Sequence, residues 1–101
     1  MTDPFIYHIT TQQEWQQALQ QGFYEATSLH TEGFIHCSTT SQVQGVLERY
    51  FANKTDLVKL SIDVSRLQPK LTYELAPSVN ELFPHIYGCI NLDAVVKITA
   101  L

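Results

Sequence analysis

Residues 32–39 read Glu32-Gly33-Phe34-Ile35-His36-Cys37-Ser38-Thr39, placing a glycine, two large apolar side chains, an imidazole, a thiol and two hydroxyls in eight positions. A strand with a purely structural role alternates apolar with indifferent polar residues, so this density marks a site. In an extended chain the period of two sends Phe34, His36 and Ser38 to one face and Ile35, Cys37 and Thr39 to the other. His36 and Ser38 then look into one space, while Cys37 faces the core, where a thiol is a small inert hydrophobe.

Working outward, the run Phe5 to Thr10 reads as a strand with Phe5, Tyr7 and Ile9 toward the core and Ile6, His8 and Thr10 on the other face. Thr11-Gln12-Gln13-Glu14 matches a capping box. The helix it starts carries a stripe of Trp15, Ala18 and Leu19, and Gly22 is placed to end it in a left-handed cap. Phe23 to Thr31 has no clean period and is expected to be a loop or irregular strand. After Thr39, the run Thr40-Ser41-Gln42 opens a second helix with Val43, Val46, Leu47, Tyr50 and Phe51 as its apolar stripe. Asn53 to Asp56 is a turn.

Leu57 to Asp63 alternates with Val58, Leu60 and Ile62 inward, and Leu71 to Leu75 alternates with Leu71, Tyr73 and Leu75 inward. Leu82 to Gly88 begins another strand, which Pro84 is expected to confine to an edge or to irregular pairing. Asn91 to Asp93 turns the chain into a final strand, Ala94 to Leu101. Helices and strands succeed one another in a single α+β domain spanning 1–101, with two helices.

Three of the four histidines, His8, His36 and His85, lie in short aromatic strand-like runs. Imidazole is a costly core filler, so the three are expected to leave the core and converge on a cleft. The plainer alternative is a set of half-buried histidines, each satisfied by a backbone carbonyl. A metal site is disfavoured: His36 and Cys37 point to opposite faces of a strand, and Pro84 and Gly88 deny His85 and Cys89 the helix that their spacing needs. A Cys37 nucleophile with His85 as base meets the objection that Cys37 faces inward. Glu74 is the one acid within a strand, beside Thr72 on the less apolar face. Glu32, Asp63 and Asp93 read as turn residues.

The chain has 101 residues, 45% hydrophobic and 16% charged, with a formal net charge of −4. Its six basic residues form no stripe, which excludes a protein whose affinity comes from neutralising phosphates of an extended nucleic acid. No apolar run is long enough to cross a bilayer and the first residues lack the pattern of a signal peptide, so a cytoplasmic location is expected. In that compartment Cys37 and Cys89 are expected as free thiols.

The ordered set IYHI, a Trp-bearing helix ending in Gly, SLHTEGFIHCST, LVKLSID, LTYEL, LFPHIYG and INLDAV resembles the domain of unknown function 952 family of small bacterial proteins along nearly the whole chain. That family is distantly similar to the ADP-ribosyltransferase superfamily, which implies a split mixed or antiparallel sheet holding NAD in a cleft. The resemblance implies catalytic positions at His8, against the ribose next to nicotinamide, at His36 in the second motif strand, and at His85 or Glu74 in the third. Thr10, Ser38, Thr39 and Tyr87 are the matching candidates for substrate contacts. NAD or a related nucleotide is the implied small-molecule ligand, with no metal. Nicotinamide leaves through an oxocarbenium-like state, which asks for hydrogen bonds fixing the ribose and a ring packing the leaving base. A non-catalytic binding or regulatory module on the same fold is the alternative.

Overall fold

A computed structural model describes residues 3–101. Strand β1 (Phe5–Thr11) pairs antiparallel with β4 (Leu57–Asp63), running from Phe5 opposite Asp63 to Thr11 opposite Leu57, and β4 pairs antiparallel with β8 (Val95–Ala100). A second three-stranded sheet has the order β3 (Ile35–His36), β6 (Glu81–Tyr87), β5 (Lys70–Ala76). A two-residue pair, β2 (Phe23–Tyr24) with β7 (Ile90–Asn91), completes the set. Tyr7 and Ser38 exchange backbone hydrogen bonds of 2.8 and 2.7 Å, stitching the first sheet to the chain leaving β3.

All pairings among the described strands are antiparallel, so the expected split sheet is present without a parallel component. Among the described residues three α-helices occur where two were expected. Helix α1 (Gln12–Gln21) begins at Thr11, whose hydroxyl accepts from the Glu14 N–H at 3.1 Å, and ends at Gly22 with φ of 93°. Its stripe is narrower than the spacing suggested: Trp15 and Ala18 are buried, but Leu19 is 50% exposed. The short α2 (Thr27–Thr31) occupies the expected loop, and α3 (Val43–Tyr50) follows a 3-10 turn over Thr40–Gln42. Among the described residues no helix is long and apolar enough to cross a membrane.

Ile6, Leu60 and Ile62 from the first sheet meet Ile35 and Ile86 from the second, with Trp15, Tyr24 and Ile90 filling the space between. At about 25 cal/mol per Å² of apolar surface, each such side chain contributes roughly 1.5–3 kcal/mol when taken out of water. Val58, Leu60 and Ile62 face inward as the alternation of β4 requires. On β1 the expected inward face holds only at Ile9, which is buried: Phe5 and Tyr7 are half-buried, while Ile6, His8 and Thr10, expected on the other face, are all buried. Alternation ranks His and Thr as outward, but here their polar atoms are hydrogen-bonded inside, which removes the cost of burying them.

Two further expectations are corrected. On β5 only Leu71 packs against the core, while Tyr73 and Leu75 are exposed, Leu75 lying on the wall of an open cleft. Pro84 sits in β6, the middle strand of its sheet, opposite Tyr73. The pairing tolerates it because β3 covers only Ile35–His36, and past that point the sheet asks Pro84 only for its carbonyl, which accepts from the Cys37 N–H at 3.0 Å.

Candidate functional site

The short β3 is aimed by the turn before it. The Glu32 and Gly33 N–H groups both close on the Ser28 carbonyl, at 2.7 and 3.1 Å, and Gly33 adopts φ of 90°, a value that favours glycine. Phe34 then emerges beside the second sheet, and pairing of β3 with β6 sets His36 directly opposite His85. Helix α3 stands across from these strands and leaves a cleft of about 510 Å³.

His8, His36 and His85, from three strands remote in sequence, all line this cleft, together with Cys37 and Ser38. The remaining wall is largely apolar: Ile9, Val46, Phe51, Leu75 and Phe83 contribute to it, and no Lys or Arg does. The apolar stripe of α3 contributes Val46, Tyr50 and Phe51 to this wall, and none of its residues is fully buried.

His85 has the most defined chemistry. Its ring stacks on Phe34 with centroids 4.1 Å apart and planes at 18°, and the His36 ring meets it edge-on at 5.3 Å. Nδ1 lies 2.7 Å from Glu74 Oε1, and the Tyr87 hydroxyl donates to the same oxygen. These bonds, from Tyr87 first and His85 second, hold the Glu74 carboxyl below its ordinary range, and the carboxylate in turn raises Tyr87. An ionised carboxylate only accepts, so His85 carries its hydrogen on Nδ1. Nε2 has no protein partner among the described residues. Since no buried side-chain nitrogen or oxygen there goes unsatisfied, this nitrogen reaches open space.

The other two histidines differ. His36 is half-exposed, and its Nε2 lies 3.1 Å from Glu32 Oε2. Glu32 is thus more than a turn residue. His8 is buried with both ring nitrogens engaged: Nδ1 donates to the His36 carbonyl at 2.6 Å, and Nε2 lies 2.7 Å from the Tyr24 hydroxyl. Burial pushes His8 down to about 4. It contributes its surface to the cleft but offers no free nitrogen.

Of the remaining candidates, Ser38 is on the cleft wall and Glu74 and Tyr87 stand behind His85. Thr39 is spent locally, since its backbone N–H takes Gln42 Oε1 at 3.0 Å in a capping box. Thr10 lies outside the cleft lining, buried between Tyr24 and Glu14. Cys37 is a buried free thiol whose proton burial holds in place, and Cys89 is free and exposed. No cluster of three His, Cys, Asp or Glu suited to a metal ion occurs among the described residues. Tyr24, buried at the centre of the His8 network, was missed: it lies in an aperiodic stretch, and only its large aromatic body hinted at burial.

Comparison with known proteins places this arrangement in a family. The sequence profile of the family described as protein of unknown function (DUF952) matches residues 9–98. The crystal structure of protein CC0527 from Caulobacter crescentus is 29% identical, with a TM-score of 0.85 over 94% of this chain and 83% of that one. The solution structure of CC0527 is also 29% identical, with a TM-score of 0.83 over 98% of this chain and 85% of that one. No curated protein matches.

Proposed function

The chain belongs to the protein family of unknown function DUF952, and we propose that it binds a small organic molecule in the histidine-lined cleft and exchanges a proton with it through His85. One observation carries this reading: a cleft-wall imidazole whose Nδ1 is tied to Glu74 at 2.7 Å. The carboxylate fixes the tautomer and orients the ring, so Nε2 is presented to a bound molecule as a hydrogen-bond and proton acceptor. Largely apolar walls without Lys or Arg suit a compact ligand without anionic groups that turns one polar group toward the imidazoles.

The nicotinamide nucleoside end of NAD is the specific ligand suggested by the sequence resemblance. Its flat ring matches the stacked plane of Phe34 and His85, and its diphosphate, finding no cation within the lining, would lie outside. In ADP-ribose transfer or hydrolysis, His85 with Glu74 would activate the accepting hydroxyl or water. Binding without turnover is the second reading. It is favoured by His8, whose nitrogens are both bonded within the protein and so unavailable to a ribose.

Calorimetric titration with NAD, ADP-ribose and nicotinamide riboside, joined to an assay of nicotinamide release, tests these readings. The nucleoside is expected to bind more tightly than ADP-ribose and to shift the His85 ring signals in NMR spectra. Binding without release selects the second reading, and no binding by any of the three removes the nicotinamide ligand. If neutral heteroaromatic fragments also leave His85 unmoved, the cleft is not a ligand site.

A further inference from the structure

Behind the cleft, four side chains from three elements stand in a line of hydrogen bonds. His8 Nε2 is 2.7 Å from the Tyr24 hydroxyl, which is 3.0 Å from Thr10 Oγ1, which is 3.0 Å from Glu14 Oε1. His8, Thr10 and Tyr24 are buried, whereas Glu14 is exposed on α1. Hydrogens can be counted along this line. Three contacts need three hydrogens; Tyr24 and Thr10 supply one each, and the last comes from either end.

With the last hydrogen on Glu14, the carboxylic acid donates to Thr10, Thr10 to Tyr24, and Tyr24 to a neutral His8. With it on His8, the imidazolium donates to Tyr24, Tyr24 to Thr10, and Thr10 to a carboxylate. His8 Nδ1 faces a carbonyl, which only accepts, and so keeps its hydrogen in both cases. The two arrangements share one set of heavy-atom positions. They differ by the O–H of Glu14 breaking and the N–H of His8 forming, with the Thr10 and Tyr24 protons each passed one place along.

We propose that Glu14, Thr10, Tyr24 and His8 form a proton path through which the buried imidazole gains or loses charge from the outside of the protein, without water entering the cleft. In a cleft that no Lys or Arg lines, this is a means of bringing positive charge to the wall while a ligand fills the opening. The titratable groups around His8 are Glu14 of α1, Tyr24 of β2, His36 and Cys37 at β3, and His85 and Tyr50 across the cleft. Burial raises both Tyr24 and Cys37, so neither gives up its proton in the ordinary range and Tyr24 serves only as a relay.

The test needs no ligand, so its outcome is independent of the proposed function. Exchange of the Tyr24 hydroxyl hydrogen with solvent is measured by NMR in the wild type, E14Q and T10V, with the β1 amides as a control on the fold. E14Q keeps a hydrogen-bonding end group but cannot load a proton, and T10V interrupts the line. Both are expected to slow hydroxyl exchange by about tenfold or more, the cost of roughly one lost relay step, while β1 amide exchange is unchanged. Wild-type hydroxyl exchange in E14Q with intact amide protection overturns the path. Because Glu14 is on the surface, that variant decides the matter even if T10V loosens the fold.

Discussion

His8 and His85 are both strand histidines on one cleft, yet their surroundings have opposite consequences. His8 is sealed: both nitrogens are bonded, and burial disfavours the charged ring. His85 has one nitrogen fixed by Glu74 and the other without a protein partner among the described residues. An imidazole becomes structural when the fold uses both of its nitrogens and chemical when the fold uses one and leaves the second exposed.

The sharpest way to break this contrast is to truncate each ring. His8→Ala leaves a cavity, a Tyr24 hydroxyl reduced to its Thr10 bond and a carbonyl without its donor, so a loss of about 3 kcal/mol or more is expected in chemical denaturation. His36→Ala, on the half-exposed ring of the same cleft, is expected to leave stability nearly unchanged while abolishing ligand binding. Equal stability losses in the two variants would erase the distinction.

Acid titration probes the sealed ring directly. The His8 value falls from the ordinary 6.5 to about 4 on folding, so between these limits the unfolded chain binds the extra proton. Stability is therefore fully present above pH 6.5 and is lost as pH falls toward 4, by about 3 kcal/mol from this residue. Denaturation midpoints across that range should slope in the wild type, and the slope should diminish in His8→Phe.

A smaller effect is expected from Tyr24→Phe, which keeps the buried ring and removes the hydroxyl. It costs about 1–2 kcal/mol by leaving His8 Nε2 and Thr10 short of a partner, measurable as a lowered Tm. The smallest thermal effect is expected at the open ring: Glu74→Ala leaves Tm nearly unchanged but removes the acceptor at Nδ1, so the hydrogen no longer favours Nδ1 in nitrogen NMR spectra. A fixed Nδ1–H tautomer in that variant would mean that Glu74 does not orient His85.

Much of this was legible in the residue pattern. The period of two in Leu57–Asp63 identified a strand and its inner face, on which Val58, Leu60 and Ile62 are all buried. Thr11, Glu14 and Gly22 marked the limits of α1 because capping is local chemistry. The convergence of His8, His36 and His85 was anticipated from their aromatic settings, and Cys37 does face inward. Orientation failed on β1, where alternation assigned His8 and Thr10 outward. On α3 the pattern identified an apolar stripe, but not that Val46, Tyr50 and Phe51 would line a cleft.

The order of residues by itself determined the longer strands, the limits of α1, and which side chains had the chemistry to form a site, since these depend on neighbours a few positions away. Only the tertiary structure decided that Tyr24 completes His8, that Glu74 holds His85, and that one histidine is closed while another is open. Those outcomes depend on partners 11 to 28 positions distant. A hydrogen bond's cost or benefit is settled by whether its second half arrives, which sequence spacing does not encode.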